Sequence, residues 1–556
     1  MQDVPLTVAR ILVHGATVNG GSTVTTWTGD PDAPVRRRSY AETGARAAQL
    51  AHALRDELGV RGDARVATLM WNNAEHLEAY LAVPAMGAVL HTLNLRLPAQ
   101  QIAWIANHAA DRVLITDGSL LPLLAPVLPL LDGSLRHIVV SGPGDRAALD
   151  GFTGTVHDYE QLLDGRPTDY PWEEEIDERE AAALCYTSGT TGDPKGVLFS
   201  HRSVYLHCLQ VTSAATFGLS ARDSALPIVP MFHVNAWGIP HAAYMSGCSL
   251  VMPDRFLQPG PVAAMITRER PTVSAAVPTI WAGLLDELDR DRAADQAYDV
   301  SSLREVVIGG SACPASLMHA YEERYGIFIR HAWGMTETSP LGTFGVVPRG
   351  LTPDEEWPYR ISQGRFPASV RHRLVGPDGS FLPHDGASAG ELEVRGPWVA
   401  GAYYAGAQGD PEGIRPEDKY SPDGWLRTGD VGTITPDGYL NITDRAKDVI
   451  KSGGEWISSV ELENHLMAHP DVAEAAVVAV PDEKWGERPL ATVVLRADAK
   501  ADLPALRAFL AERVARWQVP EHWALIEAVP KTSVGKFDKK VLRREYASGD
   551  LDVTTL

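Results

Sequence analysis

Tyr186-Thr187-Ser188-Gly189-Thr190-Thr191-Gly192-Asp193-Pro194-Lys195-Gly196 is the most informative stretch of the chain. It follows the apolar run AAALC at residues 181–185, which reads as the end of a buried strand. Three glycines and four Ser or Thr residues fall within these eleven positions. Glycines let backbone amides close in on an anion. Hydroxyls donate to phosphate oxygens or hold a metal-bound water, and Lys195 adds a point charge. The stretch therefore reads as a phosphate-gripping loop at a strand end. It is not a Walker A loop, because Asp193 and Pro194 replace the Gly-Lys-Ser/Thr ending.

On the N-terminal side of this loop, helical and strand-like segments alternate. Residues 39–58 form an amphipathic pattern with Ala47, Leu50, Leu54 and Leu58 on one side. Strands are expected at 65–70, 88–93 and 113–116, with helices at 73–86 and 99–108. Strands separated by helices predict a parallel α/β sheet. The pattern continues through 249–252, 272–277 and 305–308. After about Gly364 the texture changes to hairpin signals with Asp-Gly turns, as in VRHRLVGPDGSFLP. The tail returns to mixed α/β, with helices at 459–468 and 503–515 and strands at 475–480 and 490–495. The expected fold is α/β: a large N-terminal domain (1–445) of parallel α/β subdomains plus a β-rich subdomain, then a small mobile α+β C-terminal domain (446–556).

At 556 residues the chain is too long for one core. Its 45% apolar and 22% charged content is that of an ordinary globular protein. A net charge of −21 opposes nucleic-acid binding but leaves room for a local anion site. Cys185, Cys208, Cys248 and Cys313 have neither metal-ligand nor disulfide-framework spacing and read as buried thiols in a reducing compartment. The N-terminus lacks a basic start followed by an apolar run. The most apolar stretch, LLPLLAPVLPLL, is too short and proline-broken to cross a bilayer. A cytoplasmic enzyme without a transmembrane segment is expected.

Further motifs follow the loop. Pro230-Met231-Phe232-His233-Val234-Asn235-Ala236-Trp237 read alone is core-like. The Gly309-Gly310 pair of Gly309-Gly310-Ser311-Ala312-Cys313-Pro314 permits close approach of a ligand to the backbone. It lacks the final glycine of a nucleophile elbow. Trp333-Gly334-Met335-Thr336-Glu337 sets a carboxylate beside a hydroxyl at a strand end, which suits Mg2+. Trp425-Leu426-Arg427-Thr428-Gly429-Asp430, Asp444-Arg445-Ala446-Lys447-Asp448, Lys451-Ser452-Gly453-Gly454-Glu455-Trp456-Ile457-Ser458 and Pro530-Lys531-Thr532-Ser533-Val534-Gly535-Lys536-Phe537 complete the series.

In this order the motifs resemble those of the adenylate-forming superfamily of acyl-CoA synthetases, adenylation domains and beetle luciferases, over nearly the whole chain. The likeness is to the medium- and long-chain fatty-acyl-CoA synthetase branch. The resemblance implies an ATP-dependent acyl-CoA synthetase that makes an acyl-adenylate and then a thioester, with ATP, Mg2+ and coenzyme A as cofactors and co-substrates. It assigns the phosphates to Thr187, Ser188, Gly189, Thr190, Thr191, Gly192 and Lys195, and the metal to Thr187 and Glu337. His233 sits by the forming adenylate, and Val234 and Trp237 face the acid, with Trp237 as a gate. Gly309 and Gly310 border the acyl chain and adenine. Trp333 packs on adenine where Tyr is common, after Ala332 where Gly is usual. Gly334, Met335 and Thr336 continue that wall, with Gly334 also facing the acid. Asp430 and Arg445 take the ribose, and Lys447 matches the interdomain hinge. Lys451, Gly453 and Gly454 line the pantetheine channel in a second domain arrangement, and Trp456 matches a nucleotide contact. Lys536 matches the catalytic lysine; Glu337 and His233 complete the catalytic set. The branch also allows a homodimer. Two other readings stay open: delivery of the adenylate to a carrier protein, amine or inorganic nucleophile, and a nucleotide-binding regulator without catalysis. Retention of Lys536, Glu337 and the whole phosphate loop argues against the regulator.

Overall fold

The computed structural model describes the whole chain except residues 1, 31–34, 173–175, 188–192, 294–297, 453–454, 498 and 533–535, and except the side chains of 455 and 456. The described residues form four sheets.

The first sheet runs in the order Thr155–Asp158, His137–Ser141, Val113–Asp117, Arg65–Leu69, Val89–Thr92, Ala181–Thr187, Lys195–Ser200. Its first six strands are parallel and the last is antiparallel. Helix Tyr40–Asp56 begins at the Ser39–Glu42 capping box and buries Ala47, Leu50 and Leu54. Full burial of each leucine contributes about 1.5–3 kcal/mol. Asn73 caps helix Ala74–Ala85 by accepting from His76 N at 2.9 Å.

The second sheet orders Leu341–Phe344, Phe328–Gly334, Glu305–Ile308, Val273–Ala276, Ser224–Pro227, Ser249–Met252, Thr23–Thr26 and Arg36–Ser39, with parallel inner strands and antiparallel edges. Its N-terminal edge pair escaped the sequence reading, since the Arg36–Arg38 run looks like a solvated loop. Five antiparallel strands form the β-rich part: Phe381–Leu382, Arg371–Val375, Gly390–Arg395, Leu426–Ile434 and Leu440–Arg445.

From Ile450–Ser452 onward, the strands belong to a separate sheet centred on the long pair Val472–Asp482 and Gly486–Leu495. The expected α/β architecture with a β-rich part and an α+β tail is therefore present. One helix is shorter than expected: 503–515 ends at Ala511. Leu506 and Leu510 are its fully buried anchors; of residues 512–515 only Val514 packs against the same core, and it is half-buried, so the helical face is not continued. All four cysteines are free and buried. Among the described residues no helix is long and apolar enough to cross a membrane.

Candidate active site

A cavity of about 1190 Å3 opens where the C-terminal unit meets the first three sheets. Thr187 enters it from the end of strand Ala181–Thr187, paired in register with Lys195 on the neighbouring strand. The Thr187 hydroxyl donates to Lys195 O at 3.4 Å. Residues 188–192, the heart of the quoted loop, lie outside the described residues. The residues flanking that stretch, Thr187 and Lys195, both line the cavity.

Glu337 follows strand Phe328–Gly334 in the turn Thr336–Thr338, which packs against strand Ala181–Thr187. The Tyr403 hydroxyl donates to Glu337 Oε1 at 2.6 Å, and Ala400 N donates to Glu337 O at 2.7 Å. The face of the Tyr403 ring lies 5.2 Å from Lys195 Nζ. Tyr403 thus fixes both the carboxylate and the loop lysine. Sequence reading missed it, and no local pattern marks it, because its partner is 66 residues away. Among the described residues no cluster of three metal-ligating side chains exists. One carboxylate and one hydroxyl still fit Mg2+, which keeps most of its shell as water and phosphate oxygens.

Asp430 and Arg445 pair across strands Leu426–Ile434 and Leu440–Arg445, with Arg445 Nε 2.8 Å from Asp430 Oδ1. Trp333 Nε1 donates to Asp430 Oδ2 at 2.7 Å. Each carboxylate oxygen keeps a second lone pair for a ligand hydroxyl. The indole N–H gives a reason for tryptophan at this position: it braces the carboxylate, a link a tyrosine ring could not make from the same atom. Gly334 must lack a side chain, since a Cβ there would stand 1.8 Å from Pro340 O.

His233 and Trp237 bracket an unusual turn. Val234, Asn235, Ala236 and Trp237 all have φ between 45° and 56°, the left-handed region. Each non-glycine residue there costs about 1–2 kcal/mol. The surroundings hold the turn in place. Asn235 Oδ1 accepts from Tyr80 Oη at 3.2 Å and from Cys185 Sγ at 3.3 Å. Asn72 fixes the approach by donating to Pro227 O and Val229 O, both at 2.9 Å, and accepting from Met231 N at 2.8 Å. The result sets the Trp237 ring 3.3 Å from the Cβ position of Gly309, both residues lining the cavity. Burial, with the charges of Lys536 and Arg96 adding, pushes the His233 pKa down to about 3, so the ring is neutral at pH 7.

Lys536 comes from the C-terminal unit and reaches the same cavity. Its Cε would lie 3.4 Å from a Cβ on Gly310, whose φ of +86° favours glycine. Burial first, then the Arg445 charge, lowers the Lys536 pKa to about 8, against opposing pulls from Asp430 and Glu337. Ties that hold the unit in this arrangement include Ser459 N donating to Asp444 Oδ2 at 2.6 Å, the Ser458 hydroxyl donating to Thr443 O, and Arg496 Nη1 lying 3.7 Å from Asp286 Oδ1.

Thr187, Lys195, His233, Val234, Trp237, Gly309, Gly310 and the run Trp333, Gly334, Met335, Thr336, Glu337 therefore share one cavity with Asp430, Arg445, Lys447 and Lys536. Lys447 is exposed at its rim; partial desolvation lowers its pKa, opposed by Asp448, with the charges of Arg445, Lys540 and Arg543 adding to the lowering. Lys451 is not among the described cavity-lining residues. It sits on strand Ile450–Ser452, paired with the backbone of Trp456. Gly453 and Gly454 lie outside the described residues, as does the Trp456 side chain.

Comparison with known proteins agrees with this geometry. Residues 15–404 match the model of the AMP-binding enzyme family, and residues 461–536 match that of the AMP-binding enzyme C-terminal domain. The chain is 43% identical to the 3-methylmercaptopropionyl-CoA ligase of Ruegeria pomeroyi, covering 98% of this chain and 97% of that one. It is 41% identical to the medium-chain-fatty-acid–CoA ligase of Ectopseudomonas oleovorans, covering 98% and 96%. The crystal structure of the anthranilate CoA ligase AuaEII in complex with anthranoyl-AMP superimposes with a TM-score of 0.85 at 26% identity, over 99% of each chain. A shared cavity built from both units, with full-length kinship to acid–CoA ligases, leads to one conclusion: this chain belongs to the AMP-binding enzyme family, the adenylate-forming superfamily.

Proposed function

We propose that the chain is an AMP-forming acyl-CoA ligase whose acid has a largely apolar tail, built as residues 1–445 and a mobile 446–556, cytoplasmic, with a homodimer as the assembly its branch implies. The observation that carries the reading is Lys536, brought by the smaller unit to Gly310 between the acid pocket and the Asp430–Arg445 pair.

In the first half-reaction a carboxylate oxygen bonds to the α-phosphorus of ATP and the bond to pyrophosphate breaks. Two anions must meet, so positive charge has to be concentrated at the contact. Lys536 supplies it from a site that only partly solvates its ammonium. Lys195, with residues 188–192, would hold the outgoing phosphates, and Asp430 would fix the ribose. Thr187 and Glu337 would hold Mg2+, which when bound neutralises phosphate charge. Neutral His233 packs beside the forming adenylate without adding a competing charge. In the second half-reaction the CoA thiol loses its proton to solvent, its sulfur bonds to the acyl carbon, and AMP departs. AMP leaves readily, so positioning dominates. Rotation about Lys447 would withdraw Lys536 and present residues 451–458, which would then line the pantetheine channel.

The direct test is product release. Pyrophosphate should appear with ATP and acid alone, and AMP should be released in quantity only once CoA is added. Turnover to AMP independent of CoA would sink the reading.

Trp237 sets how the tail enters. Trp237→Ala should raise kcat/KM for longer acids relative to shorter ones by about tenfold, given about 0.8 kcal/mol for each methylene newly accommodated. The KM for ATP should stay near its original value. An unchanged acid profile would count against the gate.

A further inference from the structure

Among the described polar groups of the cavity wall, His207 is one that the chemistry above leaves idle. His207 lies on helix His201–Thr212, lines the cavity and is 2% exposed. Its Nε2 has no hydrogen-bond partner among the described residues. The ring sits behind the Trp237 turn with Nε2 itself closed off, so a ligand atom reaches it only when that turn gives way. A Cβ on Gly238, the residue after Trp237, would stand 2.6 Å from both His207 Cε1 and Nδ1. Gly238, at φ +74°, is what lets the imidazole come so close to the turn. Trp398 meets the ring edge-on at 6.1 Å between centroids, and its own Nε1 is paired, donating to Leu341 O at 2.8 Å. Phe217, Val229 and Leu341 make other parts of the cavity wall apolar. His91 and His201 also keep an unpaired ring nitrogen, but neither lines the cavity; Asn464 Oδ1 is unpaired and does line it, but it belongs to the smaller unit, away from the Trp237 turn.

A buried polar atom left unpaired is costly, and in a ligand pocket it marks where a ligand atom is received. We propose that His207 is a specificity-determining residue of the acyl pocket, and that the preferred acid carries one hydrogen-bonding heteroatom in its tail: an ether or thioether, a carbonyl or a hydroxyl. This rests on the reading that the cavity takes an acid for adenylation. The imidazole selects this class because it is uncharged: burial, with the nearby His241 adding to it, pushes its pKa down to about 3. A neutral ring nitrogen donates or accepts one hydrogen bond but offers no counter-charge, so a second carboxylate in the tail is a poor fit. A plain alkyl tail fills the space and leaves Nε2 unpaired. Sites built to meet a polar atom discriminate against the analogue that lacks it far better than apolar sites discriminate by one methylene.

The test is pyrophosphate release by the full-length enzyme with matched acids: straight-chain acids, and the same acids with one methylene replaced by oxygen, sulfur or a carbonyl, or ending in a hydroxyl. For at least one heteroatom position, wild-type kcat/KM should exceed that of the plain acid by about tenfold or more. His207→Phe should close that gap, and His207→Gln, which keeps a hydrogen-bonding end, should retain part of it. The wild-type arm stands alone if a variant fails to fold. No favoured heteroatom position in wild type, or a preference that survives in His207→Phe, overturns the proposal while the ligase reading stands on the turnover of plain acids. Release with none of the acids would overturn the ligase reading and this inference with it.

Discussion

Lys536→Ala is expected to lower the rate of adenylate formation by about 10²–10³-fold, the loss typical of removing one preorganised charge-stabilising donor. Thioester formation from supplied acyl-adenylate should be nearly unaffected, because the second half-reaction needs no cation at the α-phosphate. The split is the signature: both steps use the same cavity, but only one uses this side chain. Wild type should carry a pH signature as well. The Lys536 pKa is lowered to about 8 in the free enzyme, by burial first and Arg445 second. The protonated form is the working one, so kcat/KM for pyrophosphate release should be full below that pH and fall as pH rises through about 8. The alanine variant should lose that limb. Single-turnover assays of each half-reaction read both effects; equal loss in the two steps would remove Lys536 from its role.

Asp430→Ala should raise the KM for ATP by about 10²-fold. Hydrogen bonds to a charged group contribute about 1.5–3 kcal/mol each, and the carboxylate offers a free lone pair on each oxygen to a ribose hydroxyl. The substitution also strands Arg445 Nε and Trp333 Nε1, which it now holds at 2.8 and 2.7 Å. Some loss of thermal stability should therefore accompany the weaker ATP binding. The KM for the acid should move little by comparison. Steady-state kinetics with each substrate varied in turn, beside a thermal melt, separate these effects. An unchanged KM for ATP would place the ribose elsewhere.

The sequence carried what local chemistry dictates. The 3.6-residue period of Ala47, Leu50 and Leu54 marks a helix because burial of one face demands it. Thr187, Glu337, Asp430 and Lys536 were legible because each sits in a short motif whose order along the chain matches a known set. The missed groups work through distant partners. Tyr403 touches Glu337, Tyr80 touches Asn235, and Asn72 touches Met231 N, across separations of 66, 155 and 159 residues. No window of sequence contains such a contact. The left-handed turn from Val234 to Trp237 was equally hidden: Val, Ala and Trp do not favour positive φ, and only the packing around Asn235 sustains it. Helix 503–515 overran for a related reason, since its composition suits a helix beyond the point where buried anchors stop.

The most direct measurement is a crystal structure with a non-hydrolysable acyl-adenylate mimic bound. The expected density has Lys536 Nζ within about 3 Å of the phosphate or carboxylate-derived oxygen, the ribose hydroxyls on Asp430, and the acyl tail running past Trp237. A mimic bound away from Asp430, or a Lys536 that stays out of reach with the smaller unit docked as here, would contradict the delivery of a cation by one unit to a nucleotide held by the other.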